Sequence, residues 1–302
     1  MAGLLECVPN ISDGRDPEVV AAVAAAFASA GATLLGTDSD GDHNRSVITI
    51  AGTPEQVIAG AVAGVAAARE RIDLNIQEGA HPRMGATDVV PFVPLEGATT
   101  EDAVAAARAA AERIWRETGV PTYLYGEAAR VPGRGNLANV RKGQFEGIRD
   151  SIAKDPVRKP DFGETAVHGT AGITAVGARF FLVAYNVNLD TQDLAIAKQI
   201  ATAIREKNGG LPGVKALGFD LPEKGQVQVS MNLVDYRKTN PIQAFDEIAQ
   251  RAEAAGVTVA GSEVVGLIPH AACPEGFAER VRAIDFDADD QILERRLAKA
   301  RA

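Results

Sequence analysis

The sequence predicts an α+β protein made of two related halves, and three observations carry that reading. Two stretches of the second half alternate apolar and polar residues with period two. In the first, Phe181, Val183, Tyr185, Val187 and Leu189 alternate with Leu182, Ala184, Asn186 and Asn188; in the second, Val227, Val229, Met231 and Leu233 alternate with Gln226, Gln228, Ser230 and Asn232. Between them Ile196, Ile200 and Ile204 recur at spacing four, the mark of one helix face. The resulting order, β-α-β-β-α-β, is the ferredoxin-like arrangement of an antiparallel sheet with two helices on one face. The first half fits the same order with one extra helix and strand. The expectation is therefore two ferredoxin-like (βαββαβ) halves, residues 1–178 and 179–302, with antiparallel sheets and a ligand cleft between them.

The elements follow from local chemistry in order. Residues 4–9 read as a strand, and Asp16-Pro17 opens a helix that Gly31 closes. Residues 33–37 and 47–50 are the next strands. Pro54 starts a second helix with Ile58, Val62 and Val65 on one face, ending near Asp73. Residues 89–95 form a strand whose prolines predict an edge position or a bend, because proline gives no N–H to a ladder. Thr99 begins a third helix with Glu101 and Asp102 in its first turn, and Gly119 ends it before a short strand at 122–125. In the second half Thr191 caps a helix that Gly209-Gly210 stops, and residues 214–219 and the turn Glu223-Lys224-Gly225 lead to the second alternating strand. Asn240-Pro241 opens the next helix, with Ile242, Phe245, Ala249 and Ala252 inward, and residues 257–268 supply the last strand.

Composition bounds the function. With 302 residues, 46% apolar and 24% charged, the chain is long enough for two soluble domains with ordinary cores. The N-terminus has no basic flank leading into an apolar core, and no run has the length of a membrane span, so the expected address is cytoplasmic, away from the membrane. Cys7 and Cys273 lie too far apart for a zinc pattern and read as two free or buried thiols, with pairing left open. A net charge of −9 argues against a nucleic-acid surface but not against a small anionic ligand, which local charge decides.

One loop is dense in chemistry. Glu78-Gly-Ala-His81-Pro-Arg-Met-Gly-Ala-Thr-Asp88 places a histidine, an arginine and two carboxylates just before an apolar strand. His81 changes charge near neutral pH, Pro82 restricts it, and Gly85 admits a close backbone or ligand. A catalytic loop and a plain polar connection both fit that spacing. Residues 127–172 have little periodicity, and a connection that long is functional or a linker. Eight Lys and Arg face six acids there, a local +2 that attracts anions although most of the eight suit a solvated surface. The run His168-Gly-Thr-Ala-Gly172, followed by Gly177-Ala-Arg179, suits either a turn whose N–H groups wrap a planar or anionic ligand or a tight turn into the next strand.

Several motifs then converge. Glu6-Cys-Val-Pro-Asn10, Gly14-Arg15-Asp16, Asp42-His43-Asn44-Arg45-Ser46, His81-Pro-Arg-Met-Gly-Ala-Thr-Asp88, Tyr123-Leu-Tyr125, Arg141-Lys-Gly-Gln-Phe-Glu-Gly147, Pro160-Asp-Phe-Gly163, Gly177-Ala-Arg179 and Gly261-Ser-Glu-Val-Val-Gly-Leu267 occur in one order. Together they resemble the formiminotransferase family. The resemblance implies a folate-dependent glutamate formimidoyltransferase of histidine degradation, moving a formimino group from N-formimino-L-glutamate to N5 of tetrahydrofolate, the co-substrate, with no metal. It implies His81 as the catalytic acid/base group. It also implies a folate-binding segment made of Gly163, Glu164, Thr165, Ala166, Val167, His168, Gly169, Thr170, Ala171 and Gly172. Relatives often carry a proline or tryptophan where this chain reads Val167-His168-Gly169-Thr170-Ala171. Larger members carry a cyclodeaminase domain after this one, so a separate cyclodeaminase is an expected partner.

The chemistry needs a proton carrier, a carboxylate to orient the amidinium, and guanidinium forks for the carboxylates of the glutamate and the folate tail. His81 suits the first. Asp38, with Asp40 and Asp42, suits the second or is simply an acidic surface turn, and Arg45, Arg83 and Arg179 suit the third. His43 reads as a hydrogen-bonded turn residue beside the same cleft, and His270 as structural. Two rival functions stay open: a formyltransferase acting on N-formylglutamate or 5-formyltetrahydrofolate, and a folate-binding partner of a cyclodeaminase without turnover. Sheets with apolar alternating faces also make a homo-oligomer an expectation.

Overall fold

Asp16, Thr53 and Thr99 each precede a helix and turn a side-chain oxygen onto its first free N–H groups, and in the last two a Gln or Asp at the third helical position reaches back to complete a capping box. The chain, described here from a computed structural model over residues 3–301, divides into two units, Met1–Arg179 and Phe180–Ala302. Unit 1 runs β1 (Leu5–Cys7), β2 (Asn10–Ile11), α1 (Pro17–Ala28), β3 (Thr33–Asp40), β4 (Arg45–Gly52), α2 (Pro54–Arg71), β5 (Thr87–Pro94), α3 (Thr100–Thr118), β6 (Thr122–Gly126), α4 (Leu137–Val140), α5 (Gln144–Ser151) and β7 (Thr174–Ala178).

β1 and β2 are one path interrupted at Val8-Pro9, and both pair antiparallel with β4 on one side and β5 on the other. β3 lies outside β4, also antiparallel, while β7 and β6 continue beyond β5 in parallel. The larger sheet is thus mixed: its β1–β5 part is antiparallel, and the parallel β7, which sequence periodicity did not reveal, adds a second extra strand. Nor is β5 an edge. It is central, and its Pro91 faces the gap between β1 and β2, where its carbonyl accepts the Val8 N–H at 3.1 Å. The proline sits where the neighbouring ladder is already broken, which removes the conflict that predicted an edge.

Alternation along the strands sends residues to two clusters. Cys7, Ile50, Val90, Leu124 and Val176 meet α1, α2 and α3 through Val23, Phe27, Val65, Ala107 and Ile114. Val89, Tyr123, Tyr125 and Ala175 instead meet Val140, Ile148 and Ile152 of α4, α5 and the following turn. Gly64 on α2 admits the Phe27 ring, whose carbons stand 2.4 Å from where a Cβ would be. Residues 127–172 are therefore no linker: they pack the second cluster.

Unit 2 runs β8 (Val183–Leu189), α6 (Leu194–Ile204), β9 (Val214–Leu221), β10 (Gln226–Leu233), α7 (Pro241–Ala254), β11 (Val259–Val265), α8 (Phe277–Arg280), α9 (Ala288–Gln291) and α10 (Leu293–Arg301). Its sheet has the order β11-β8-β10-β9, antiparallel throughout. Within unit 1, β5, the β1/β2 path, β4 and β3 take the same order. The apolar set of β8 and β10 is buried as the alternation predicts. On the polar face Asn188 donates to Glu263 at 3.0 Å and accepts from Gln228 at 2.9 Å. The α6 cap is Asp193 rather than Thr191, since the Asp193 carboxylate is the acceptor for the Ala195 N–H. α6 ends at Ile204, and Gly209, with φ of 83°, closes the short turn after it.

Candidate active site

The His81 loop is clamped between two backbones. On one side the β3–β4 turn holds it through Asn44, a buried residue in the left-handed region with φ of 48°. The Asn44 amide accepts the Gly14 N–H at 3.0 Å and donates to the Glu78 carbonyl at 2.8 Å, and the Asn44 carbonyl accepts from Gln77 at 3.1 Å. The Ala80 and His81 N–H groups donate to the carbonyls of Asp42 and His43 at 3.2 and 3.3 Å. On the other side the Ser12 hydroxyl donates to the Gly85 carbonyl at 2.7 Å, the Ala86 N–H to the Ala171 carbonyl at 2.9 Å, and the Ile173 N–H to the Met84 carbonyl at 3.0 Å. Gly85 is needed because a Cβ there would stand 2.5 Å from the carbonyl oxygens of Thr87 and Ile173.

Charged groups converge on the loop. Asp88, at the start of β5, is 1% exposed; its Oδ1 accepts the Met84 N–H at 2.9 Å and its Oδ2 pairs with the Arg141 guanidinium at 2.5 Å. Burial pushes the Asp88 carboxyl up, while Arg141 and the Met84 N–H oppose that rise. His81 Nε2 lies 4.0 Å from the same Oδ2. Burial lowers the His81 pKa to about 3, and the charges of Arg45, Arg141 and His43 push in the same direction while Asp40 opposes them. At neutral pH this imidazole is uncharged and free to accept a proton. The His81 Nε2 and the Nε atoms of Arg45 and Arg141 are buried with no hydrogen-bond partner among the described residues, so the two guanidinium groups each keep a donor in need of an acceptor. Asp40 takes the His43 N–H and the His43 ring, each at 2.8 Å, and these bonds hold its carboxyl below the usual range.

The other sequence candidates fall as follows. Arg45, opposite Asp40 in the β3–β4 ladder, stands in the charged group around His81. Burial lowers the Arg45 pKa, and Asp38, exposed on β3, is one of the charges that oppose that fall. The Arg83 guanidinium is engaged elsewhere: it grips both Glu146 oxygens at 2.7 and 2.9 Å and donates to Gln77 at 2.9 Å. Arg179, just past β7, gives its N–H to the Phe92 carbonyl at 3.1 Å, and its charge reaches Cys7 and Tyr125. Gly163, Glu164, Thr165 and Ala166 run along the surface, with Glu164, Thr165 and Ala166 exposed and Gly163, at φ of 125°, against Pro121 and Trp115. Val167 packs on both clusters of unit 1. From His168 to Gly172 the chain makes a closed turn, each of these two N–H groups donating to the other's carbonyl. The Thr170 and Ala171 N–H groups point at the His168 Nδ1, at 3.4 and 3.1 Å, so they are not the open amides that small residues suggested. The Gly169 carbonyl accepts from Asn75 at 3.0 Å and the Thr170 carbonyl from the Leu74 N–H at 2.9 Å, which seats this turn beside the His81 loop.

Asp88 and Arg141 lie within motifs of the chain, but spacing alone assigns them no role. Their signal was available: a carboxylate entering an apolar strand needs a cationic partner, and the basic run at 141–142 was at hand.

Residues 4–179 match the family described as "Formiminotransferase domain, N-terminal subdomain", and residues 184–292 match "Formiminotransferase domain". Glutamate formimidoyltransferase of Streptococcus pyogenes serotype M1 is 45% identical over 98% of this chain and 99% of its own length. The protein of the same name from Thermoplasma acidophilum is 45% identical over 98% of each chain. Formimidoyltransferase-cyclodeaminase of Sus scrofa is 42% identical over 89% of this chain and 51% of its own length. With both halves of the fold matched in order, and relatives this similar from end to end, the chain belongs to the formiminotransferase family.

Proposed function

We propose that the chain is a glutamate formimidoyltransferase that moves the formimino group from N-formimino-L-glutamate to N5 of tetrahydrofolate, giving 5-formimidoyltetrahydrofolate and L-glutamate. The observation that carries the reading is an uncharged imidazole, His81, held beside two arginines whose buried Nε atoms await an acceptor. Tetrahydrofolate, when bound, supplies the attacking nitrogen. His81 takes the N5 proton as the new C–N bond forms and returns it to the glutamate nitrogen as the old C–N bond breaks. No proton is gained or lost overall, so one imidazole serves both halves. Arg45 and Arg141 take the carboxylates of the donor. Residues 163–172 bring folate alongside through the turn seated on Met84 and Ala86.

The name of the Sus scrofa relative joins this activity to a cyclodeaminase, and a separate cyclodeaminase is the partner we assign to the product. Among the described residues no helix is long and apolar enough to cross a membrane, and no cluster of His, Cys, Asp or Glu is grouped to hold a metal ion.

Glutamate release by the purified protein tests the reading, with N-formiminoglutamate and N-formylglutamate compared in the presence and absence of tetrahydrofolate. Folate-dependent release from the formimino donor is expected, and release from the formyl donor alone, or from neither, overturns the proposal. His81→Ala is expected to lower kcat by about 10²–10⁴-fold. Wild-type turnover in that variant removes His81 from the mechanism.

A further inference from the structure

We propose that Asp88 is the positioning residue of this site: it accepts the Nε2–H of His81 and leaves Nδ1 as the nitrogen that exchanges protons with the reacting groups. The inference rests on the acid/base role assigned to His81 above and adds which nitrogen performs it.

Asp88 is built to remain in one place. Its 1% exposure, its Oδ1 on the Met84 N–H and its Oδ2 on Arg141 fix both oxygens. Of these two oxygens, Oδ2 is the one directed at His81, 4.0 Å from Nε2. That separation exceeds a hydrogen bond, but sites without their ligands commonly hold such contacts long, and a shift of about 1 Å in the ring closes it. Nε2 is the buried nitrogen of the ring, so the 14% exposure left to the side chain lies elsewhere on it.

The other charged groups acting on His81 cannot do this. Arg45 and Arg141 carry donors only, and among the described residues the Asp88 Oδ2 is the carboxylate oxygen that comes within 4.0 Å of a His81 ring nitrogen, whereas Asp40 makes its contacts to His43. Asp88 is the acceptor that remains. A proton arriving at Nδ1 makes an imidazolium whose Nε2–H faces a carboxylate, and that negative charge offsets the two arginines that otherwise oppose it. Arg141 thus tethers Asp88 through one nitrogen, while its buried Nε is left without a hydrogen-bond partner among the described residues.

The test reads the tautomer directly. Two-bond proton–nitrogen correlations are recorded at pH 7 on the ligand-free, nitrogen-15-labelled full chain, with His81 assigned by the loss of its signals in His81→Gln. The expected wild-type result is a proton on Nε2 and a bare Nδ1; a proton on Nδ1 overturns the proposal. Because no donor is present, this outcome stands apart from whether the chain transfers formimino groups, which the wild-type glutamate assay decides. Asp88→Asn, which keeps an acceptor for Met84, is expected to lose the tautomer preference and to lower kcat by about 10²–10⁴-fold, as when the orienting aspartate of a catalytic triad is made an amide, with any rise in KM reporting the lost tether of Arg141. Asp88→Glu is expected to restore the tautomer preference and part of kcat. Wild-type kcat in Asp88→Asn, or a raised KM with kcat intact, also overturns it.

Discussion

His81 is a base whose strength depends on what sits beside it. Burial and the charges of Arg45, Arg141 and His43 take its pKa from 6.5 to about 3 in the free protein. The neutral form is the active one, so activity is lost as pH falls through this pKa, and the acid limb of kcat/KM is expected well below 6.5. A carboxylate ligand placed against Arg45 and Arg141 cancels two of the charges that lower the pKa. The acid limb of kcat is therefore expected at higher pH than that of kcat/KM. Parallel profiles of the two constants check this, with the ionisation of both substrates titrated separately, and superimposed limbs count against it. At this scale the sequence was partly legible. His81, Arg45 and Asp88 stand within short motifs, but the pairing of Asp88 with Arg141 spans 53 positions. Spacing carries no information about such a contact. Arg83 shows the reverse case, a well-placed arginine in a motif whose fork closes on Glu146.

Elements with a strong period or a cap were legible, because the residues that define them are neighbours in sequence. β8 and β10, with alternation over seven and eight residues, and α3, between Thr99 and Gly119, are examples. β7 was not legible: Thr174–Ala178 is buried throughout, and a strand covered on both faces has no alternation to show. The prolines of β5 misled for a related reason, since the gap opposite Pro91 belongs to another strand. Element packing also carries two predictions. Gly172 has φ of 68°, and a Cβ on it would stand 2.2 Å from the Met84 carbonyl oxygen. Gly172→Ala is expected to push the 168–172 turn off the His81 loop, lowering both the melting temperature and kcat. Thr99→Ala removes the α3 cap from a surface position and is expected to cost about 1 kcal/mol of stability with kcat unchanged. Thermal denaturation and steady-state turnover of the two variants separate these effects, and equal losses of kcat would refute the distinction.

The whole chain is acidic at −9, yet the groups gathered at His81 include Arg45 and Arg141. Charge is therefore arranged locally, and the total predicted only what the protein avoids. The repeated strand order was legible in outline because each unit pairs neighbours within about 90 residues of sequence, β1 to β5 in one and β8 to β11 in the other. Unit 2 has a complete ferredoxin-like sheet and its own buried set, including Val187, Ile200, Val229 and Ile248. A fragment of residues 180–302 is expected to unfold cooperatively on heating, and a fragment that shows no transition would deny unit 2 the status of a domain.

The strip from Met84 to Ala86, held to Ser12 on one side and to Ala171 and Ile173 on the other, sets a timescale. The N–H groups of Ser12, Ala86 and Ile173 are locked in these bonds, so their exchange with solvent deuterium waits for a large opening of unit 1 rather than for local fraying. The strip next to the base is then already ordered before any ligand arrives, and binding spends less of its free energy on arranging the site.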